Sequence, residues 1–367
     1  MRNRQVATVN PSFCIGQASV GGDAPTYVIA EAGVNHDGNL YRAMVMVEAA
    51  AATGADAVKF QAFSAGRLVT RGAPPAGYQK ASSQLELLER LELSEKAFAA
   101  LVAYCAVMGI EMLATPFGPE DVEMLVRLGI RAIKLASPDV TNIPLLQAAG
   151  ATGVPVILST GAAGLEEIAV ALDTLTAAGA GEMALLHCVS SYPTPLAQAN
   201  LLAVRTLAQR FGLPVGYSDH TQELCTGELA VRVGACILEK HFTLDRTLPG
   251  PDHAMSLQPA DLADYIARAR FARRGELDIH TLSAEEQAAL GDGIKQPQAI
   301  EADVRRVARS SVTSAVAIPA GTRIQRSMLT IKRPAGGIPP AQIDSLPGRS
   351  AAVDIPADTT LTPEMLR

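Results

Sequence analysis

Aromatic residues are scarce in this chain of 367 residues, which has no tryptophan and only 4% aromatic residues. Apolar residues nevertheless make up 48% of the chain, so the core must be built mainly from aliphatic side chains. Such a core is typical of α/β proteins with many short parallel strands. No stretch reaches the roughly 18 uninterrupted apolar residues of a membrane span. The net charge of −6 excludes a general attraction to nucleic acid or to an acidic membrane.

Cysteine usage excludes a disulfide framework. The five cysteines are odd in number, scattered, and form no C-x-x-C pair. They are therefore interpreted as thiols in a reducing compartment. Arg2 and Arg4 are not followed by the apolar segment of a secretory signal. We expect a cytoplasmic protein that has neither nucleic acid nor membrane as a partner.

One pattern repeats from Tyr27 to about Arg274: a short apolar run, a polar loop, and an amphipathic helix. Eight such units predict an α/β fold, a (β/α)8 TIM barrel, with a doubly wound open sheet as the alternative. The eight runs are Tyr27–Ala30, Ala57–Phe60, Glu111–Ala114, Ala132–Leu135, Val154–Leu158, Met183–Leu186, Val215–Tyr217 and Cys236–Leu238.

The remaining segments divide the chain further. We predict an N-terminal extension over 1–26, the barrel over 27–280, a charged linker over 281–306 and a small domain over 307–367. In that last segment Ile318-Pro319-Ala320-Gly321-Thr322 recurs as Ile355-Pro356-Ala357-Asp358-Thr359, which indicates a pseudo-symmetric β domain. A domain this small needs packing on the barrel or on a second subunit.

An excursion over 62–93 is too long for an ordinary loop after a barrel strand. It contains Arg67, Arg71 and Tyr78-Gln79-Lys80. It is either a lid over the site or a solvated surface loop.

Polar groups follow nearly every predicted strand, at the end where TIM barrels hold their reacting groups. Lys59 and Lys134, with the hydroxyls of Ser137, Ser159 and Ser218, suit an anion such as phosphate or carboxylate.

Two histidines, His220 and His241, follow consecutive strands and lie 21 residues apart. Together with oxygen ligands they suit a divalent ion such as Mn²⁺. The alternative for each is a hydrogen-bonded, half-buried imidazole.

These motifs together resemble the sialic acid synthase family. The tail, with Lys332-Arg333-Pro334-Ala335-Gly336-Gly337-Ile338, resembles the family's antifreeze-like SAF domain, a β-clip fold, so the resemblance covers roughly 25–367. The main matching stretches are Ile29-Ala30-Glu31-Ala32-Gly33-Val34-Asn35-His36-Asp37-Gly38, Val58-Lys59-Phe60-Gln61, Ala114-Thr115-Pro116-Phe117, Ile157-Leu158-Ser159-Thr160-Gly161, Tyr192-Pro193-Thr194-Pro195, Gly216-Tyr217-Ser218-Asp219-His220, Glu239-Lys240-His241-Phe242-Thr243 and Gly250-Pro251-Asp252-His253.

The resemblance implies a transferase that condenses phosphoenolpyruvate with the open-chain aldehyde of an N-acyl hexosamine, releasing phosphate by C–O cleavage. N-acetylmannosamine is the expected acceptor. Mn²⁺ is the expected ion, with Mg²⁺ and Co²⁺ as alternatives, and the expected assembly is a domain-swapped homodimer. The implied residues are His220 and His241 for the metal; Glu31 and Asp252 for catalysis; Lys59, Gln61, Thr115, Lys134, Ser137, Ser159 and Ser218 for phosphoenolpyruvate; and Phe117, Asp139, Ser190, Tyr192 and, from the partner subunit, Arg333 for the sugar.

Two loops depart from the pattern of family members that make N-acetylneuraminate. They read Cys188-Val189-Ser190-Ser191-Tyr192-Pro193 and Leu135-Ala136-Ser137-Pro138-Asp139. The product is then alternatively a legionaminic or pseudaminic type of nonulosonic acid, or a 9-phosphate. A Schiff-base aldolase using Lys134 or Lys240 is a second class of enzyme. A carbohydrate-binding or ice-binding protein acting through the tail is a third reading.

Overall fold

The structure, a computed structural model, describes residues 11–75, 77 and 83–367, and none of the helices there is both long and apolar enough to cross a membrane. The strands are β1 Ser12–Ile15, β2 Ala18–Gly21, β3 Tyr27–Gly33, β4 Ala57–Ala62, β5 Glu111–Pro116, β6 Ile133–Leu135, β7 Val156–Ser159, β8 Met183–Cys188, β9 Val215–Asp219, β10 Ile237–His241, β11 Ser311–Ser314 and β12 Leu329–Lys332. The helices are α1 Leu40–Ala52, α2 Ala65–Leu68, α3 Gln84–Leu91, α4 Glu95–Met108, α5 Pro119–Arg127, α6 Ile143–Gly150, α7 Leu165–Ala178, α8 Ala203–Phe211, α9 Cys225–Val233, α10 Pro259–Phe271, α11 Ala284–Leu290 and α12 Ala302–Ala308.

Strands β3 to β10 form a closed parallel barrel, which confirms the predicted fold. The barrel closes where β10 pairs with β3, from Ile237 opposite Tyr27 to His241 opposite Glu31. Most strands continue past the predicted apolar runs because the polar residues at their carboxyl ends still take part in the ladder. Those residues are therefore held by the barrel wall rather than by mobile loops.

The N-terminal end of the barrel is closed by a hairpin of β1 and β2. Its side chains Phe13, Ile15 and Val20 are buried against residues at the strand starts, among them Tyr27 and Ile29. The carboxyl ends of the strands therefore form the open end.

The excursion over 62–93 contributes α2 and α3, which pack in a small apolar cluster with Val34 and Phe63. The segment Tyr78-Gln79-Lys80 lies outside the described residues, and the role of the excursion as a lid stays a prediction. The backbone of this excursion also forms hydrogen bonds with the C-terminal domain. Arg333 N–H donates to Leu68 O at 2.9 Å, and Thr70 N–H donates to Arg333 O at 3.0 Å.

The C-terminal domain is built on β11 and β12, which pair antiparallel. The sequence echo has a direct structural counterpart, because Ile318 and Ile355 pair with each other in an antiparallel bridge. Both isoleucines lie in a separate apolar core with Val312 and Leu361.

Candidate active site

The carboxyl ends of the barrel strands surround one cavity. It gathers thirteen of the sixteen residues predicted for the site, all except Asp139, Ser190 and Arg333. The lining residues are Glu31, Lys59, Gln61, Thr115, Phe117, Lys134, Ala136, Ser137, Pro138, Ser159, Cys188, Tyr192, Ser218, His220, Glu239, His241 and Asp252.

Buried charges alternate along one wall of the cavity. Lys59 Nζ lies 2.7 Å from Glu31 Oε2 and 3.7 Å from Glu239 Oε2, and Lys134 Nζ lies 3.7 Å from Glu239 Oε1. Burial opposes the charge of Glu239, but Lys134 and Lys59 hold the pKa of its carboxyl below the ordinary value. Glu239 thus keeps two buried ammonium groups side by side, where they would otherwise repel each other.

Hydroxyl and backbone amide groups lie beside Lys59 and Lys134 and add polar groups to this part of the cavity. Lys134 Nζ donates to Ser159 Oγ at 2.6 Å, and Lys59 Nζ donates to Thr115 Oγ1 at 3.0 Å. Ser137 Oγ accepts from Gly161 N–H at 2.8 Å. Two cations with hydroxyl donors in one water-poor recess can bind a phosphate or carboxylate group.

The two histidines face each other across the mouth, with ring centroids 5.5 Å apart. His220 Nδ1 lies 2.8 Å from Val189 O and 3.7 Å from Cys188 Sγ, and since a carbonyl only accepts, this nitrogen carries a proton. Burial opposes the charge of His220, but the charge of Cys188 raises the pKa of the imidazole, so a metal ion at Nε2 would have to displace a proton there. Burial, followed by the charge of His220, lowers the pKa of His241 well below its ordinary value, so His241 stays neutral.

Neutral imidazoles are the form that binds a metal ion. His241 Nδ1 is also buried without a hydrogen-bond partner among the described residues. Over the same residues no group of three or more His, Cys, Asp or Glu side chains is arranged to hold an ion. The pair therefore fits a site that takes two ligands from the protein and leaves the others to substrate or water.

Three polar groups meet around Gly33. A Cβ built there would lie 3.4 Å from Glu31 Oε1, 3.5 Å from Gln61 Nε2 and 3.7 Å from Asp252 Oδ2. Burial, with a smaller contribution from the charge of Glu31, raises the pKa of Asp252 to about 7. Burial also raises the pKa of Glu31, against the opposing effect of Lys59. This corner can hold and exchange a proton near neutral pH.

The rim carries the residues predicted to bind sugar. The guanidinium carbon of Arg333 lies 5.0 Å from the ring centroid of Phe117, and the ring of Tyr192 lies 4.3 Å from that of His220. Burial raises the pKa of Asp139, while the charge of Arg333 opposes that effect. Here Arg333 reaches the barrel of its own chain; its supply by a partner subunit stays a prediction.

Ser190 does not line the cavity. Its side chain is buried against Gly161, where a Cβ would overlap Ser190 Oγ. A sugar contact from this hydroxyl is therefore not evident in the geometry, although Ser190 lies on the loop that shapes the mouth.

Lys240 is the wrong candidate for a Schiff-base nucleophile. Successive side chains of a strand point to opposite faces, so Lys240 faces outward while Glu239 and His241 face the cavity. Its buried Nζ lies 2.9 Å from Asp219 Oδ2 and donates to Thr221 O at 2.7 Å. Lys134 is then the lysine of that hypothesis that does reach the cavity.

Four lining residues were not among those predicted for the site: Ala136, Pro138, Cys188 and Glu239. Glu239 was named only within the matching stretch Glu239-Lys240-His241-Phe242-Thr243, although its position two residues before His241 places both side chains on the same face of the strand. Cys188 was interpreted as a buried thiol, and its Sγ lies 3.5 Å from Ser137 Oγ.

His187 is buried beside the site but does not line the cavity, and its burial should make the stability of the protein depend on pH. Its ring stacks on Tyr217, Nε2 lies 2.8 Å from Ala199 O, and burial lowers its pKa from 6.5 to about 3. Below pH 6.5 the unfolded chain takes up a proton that the folded protein excludes, so stability is lost as the pH falls. We expect the unfolding free energy of the wild type, relative to His187→Gln, to drop by about 1.3 kcal/mol between pH 7.5 and 5.5. Urea denaturation measures this, and parallel pH dependences of the two proteins would contradict it.

Comparison with known proteins agrees with the geometry. Residues 46–275 match the NeuB family, and residues 309–367 match the SAF domain. The chain is 38% identical to an N,N'-diacetyllegionaminic acid synthase of Legionella pneumophila, over 98% of this chain and 97% of the relative. It is 31% identical to the N-acetylneuraminate-9-phosphate synthase of Mus musculus over 351 residues, which cover 94% of this chain and 94% of the relative.

A solved structure has the same architecture. The spore coat polysaccharide biosynthesis protein spsE of Bacillus subtilis aligns with a TM-score of 0.82 and 32% identity, covering 97% of this chain and 99% of that one. The chain therefore belongs to the NeuB family, the sialic acid synthase family, as an enzyme of its nonulosonic acid synthase type with a SAF domain over 309–367.

Proposed function

We propose that the enzyme condenses phosphoenolpyruvate with the open-chain aldehyde of an N-acylated amino sugar to form a nonulosonic acid and phosphate. One observation carries the proposal: the histidine pair and the anion-binding lysines Lys59 and Lys134 line the same cavity. A divalent ion held by His220 and His241, most simply Mn²⁺, would act as a Lewis acid on the aldehyde oxygen. The lysines would hold the phosphate and carboxylate of phosphoenolpyruvate beside it.

The reaction balances with groups that surround the cavity. C3 of phosphoenolpyruvate bonds to the aldehyde carbon, a water oxygen bonds to C2, and the bond from C2 to the phosphate oxygen breaks. Glu31 is suited to take the first proton of that water, and Asp252, with its pKa near neutrality, to give a proton to the aldehyde oxygen as it becomes a hydroxyl. The second proton of the water leaves with the phosphate as C2 becomes a keto carbon. Lys59 and Lys134 stabilise the phosphate as it leaves, since their charges are already buried and oriented.

We propose a di-N-acetylated acceptor of the legionaminic type, in preference to the expected N-acetylmannosamine. The identity of 38% to the Legionella enzyme supports this choice, as do the departures at Ser190 and Pro138 from the N-acetylneuraminate pattern. A phosphorylated acceptor is less favoured because the rim cation Arg333 already lies over Phe117 and its charge already acts on the Asp139 carboxyl.

Phosphate release tests the reaction and its acceptor. Purified protein with Mn²⁺ and phosphoenolpyruvate is incubated with N-acetylmannosamine, its 6-phosphate and a 2,4-diacetamido-2,4,6-trideoxyhexose. We expect release that depends on the third sugar and is at least about 10-fold faster than with the others, a difference of about 1.4 kcal/mol in transition-state binding. Equal rates with all three sugars would refute the acceptor, and no release with any would refute the reaction.

The Schiff-base aldolase remains a distinct second candidate through Lys134. Burial lowers the pKa of its ammonium, which favours a nucleophilic amine. Borohydride reduction in the presence of a 2-keto acid would then add the mass of the ligand to a peptide containing Lys134. We expect no such adduct, and we expect a chelator to abolish phosphate release.

A further inference from the structure

The segment between the two family matches, residues 276–308, contributes a carboxylate to the back of the site. Glu301 is almost fully buried, with 1% of its surface exposed. Its Oε1 accepts hydrogen bonds from Ala162 N–H at 2.6 Å and from Ser190 N–H at 2.7 Å. One carboxylate oxygen therefore ties the loop that follows β7 to the loop that follows β8.

The same short stretch holds the other side of Ala162. Arg305 and Arg309 donate to Ala162 O at 3.1 and 3.0 Å, and both arginines form ion pairs with Glu167. Ala162 has a φ of +51°, in the left-handed region that residues with a side chain rarely adopt. Contacts from residues 301–309 thus surround the one strained residue of this loop.

The residue before Ala162 lies against the anion-binding groups. Gly161 N–H donates to Ser137 Oγ at 2.8 Å, and Ser159, two residues earlier, is the last residue of β7. A Cβ on Gly161 would lie 2.9 Å from both Ser137 Oγ and Cys188 Sγ, so the loop has no room to shift without moving them. The position of the Ala162 backbone therefore determines where the Ser137 hydroxyl lies in the cavity.

We propose that Glu301 is a positioning residue for phosphoenolpyruvate. It does not line the cavity. It fixes the loops over 160–162 and 188–190 through their amides, and through Gly161 it fixes the hydroxyl of Ser137. The inference rests on the proposed function, which names the anion bound there. It makes the segment between the domains a part of the site rather than a tether.

Glu301 also caps the start of its own helical turn, and a residue that did only this would have a purely structural role. The chain offers a matched control for such a role. Glu301 Oε2 accepts from Gln298 N–H at 2.8 Å, three residues earlier. Glu286 makes the same contact with Ser283 N–H at 2.8 Å, whereas the amides of Ala162 and Ser190 donate to Glu301. Glu286→Gln removes the charge of a cap without affecting Ala162 or Ser190.

The experiment compares the full-length wild type with Glu301→Gln, Glu301→Ala and Glu286→Gln. Glutamine keeps the size of Glu301, but its amide oxygen is a weaker acceptor for two N–H groups, and its NH₂ cannot accept from Gln298. Calorimetric titrations with phosphoenolpyruvate and with Mn²⁺, steady-state kinetics and thermal unfolding are measured for each.

For Glu301→Gln we expect the Kd and KM for phosphoenolpyruvate to rise roughly 10-fold, about 1.4 kcal/mol. The Mn²⁺ affinity should stay within about 2-fold, and Glu301→Ala should show the larger effect on phosphoenolpyruvate. Glu286→Gln should bind both ligands as the wild type does.

Three results would overturn the inference. Unchanged phosphoenolpyruvate binding in Glu301→Gln removes the positioning role, and so does a loss of Mn²⁺ affinity equal to that of phosphoenolpyruvate, which indicates general loosening. A wild type that fails to bind phosphoenolpyruvate refutes the proposed function itself, and the inference with it.

Discussion

Replacing either His220 or His241 with alanine should remove the bound divalent ion and lower kcat/KM for phosphate release by roughly 1000-fold or more. The expected loss is large because no other group on the cavity wall would polarise the aldehyde oxygen as a Lewis acid does. The fold should persist, since the imidazoles contact groups at the open end of the barrel, namely Val189 O, Cys188 Sγ and the Tyr192 ring. Metal content by mass spectrometry, Mn²⁺ calorimetry and circular dichroism measure the three quantities.

His280 is the matched control for these two variants, because it is an exposed histidine far along the chain from the barrel strands. His280→Ala should keep the metal, the activity and the fold. A His220→Ala protein that holds no metal and yet turns over at the wild-type rate would contradict the metal site. Loss of secondary structure in both site variants would show that the histidines serve the fold instead.

The barrel and most of the cavity were predictable because both follow from local patterns. Each apolar run is long enough to become a strand, and the carboxyl ends of parallel strands must meet at one face. Glu31, Lys59 and His241 were identified in this way, as single residues placed at strand ends. The outward direction of Lys240 was equally available from the sequence, since it alternates with Glu239 and His241.

Long-range contacts were not predictable in the same way. Glu301 lies 139 residues from Ala162 and 111 from Ser190, and no local period records such a pairing. Arg333 was identified from the family motif, but its approach to Phe117 depends on how the C-terminal domain adds to the backbone at Leu68 and Thr70. Contacts of this kind arise from the packing of whole segments. A sequence pattern can therefore identify one residue of such a contact but not the residue that it contacts.

Lys240 gives the second large effect, on stability and metal affinity together. Its ammonium bridges the two segments that carry the histidines: it is paired with Asp219, next to His220, and it directly precedes His241. Asp219 also accepts from Thr226 Oγ1 at 2.6 Å and from Tyr265 Oη at 3.0 Å. Burial opposes the charge of Asp219, yet Lys240 and the hydroxyls of Thr226 and Thr221 hold the pKa of its carboxyl below the ordinary value.

Lys240→Met should therefore lower the unfolding free energy by about 3–5 kcal/mol, because it leaves the Asp219 carboxylate buried without its cation. The double variant Asp219→Asn with Lys240→Met removes both charges and should recover most of that stability. The double variant should not recover metal binding, because the hydrogen bond from Lys240 Nζ to Thr221 O, which connects the end of β10 to the segment after His220, is still missing. We expect its Mn²⁺ affinity to stay roughly 10- to 100-fold weaker than that of the wild type.

Urea denaturation and Mn²⁺ calorimetry on the single and double variants separate these two consequences. Arg268→Ala, which breaks the exposed pair of Arg268 with Asp264, is the control and should change neither quantity. A double variant that regains both stability and metal affinity would show that the pair only balances charge. If stability returns without metal affinity, the pair of Lys240 with Asp219 sets the distance between His220 and His241. Contacts on the outer face of the barrel wall would then determine the geometry of the metal site on the inner face.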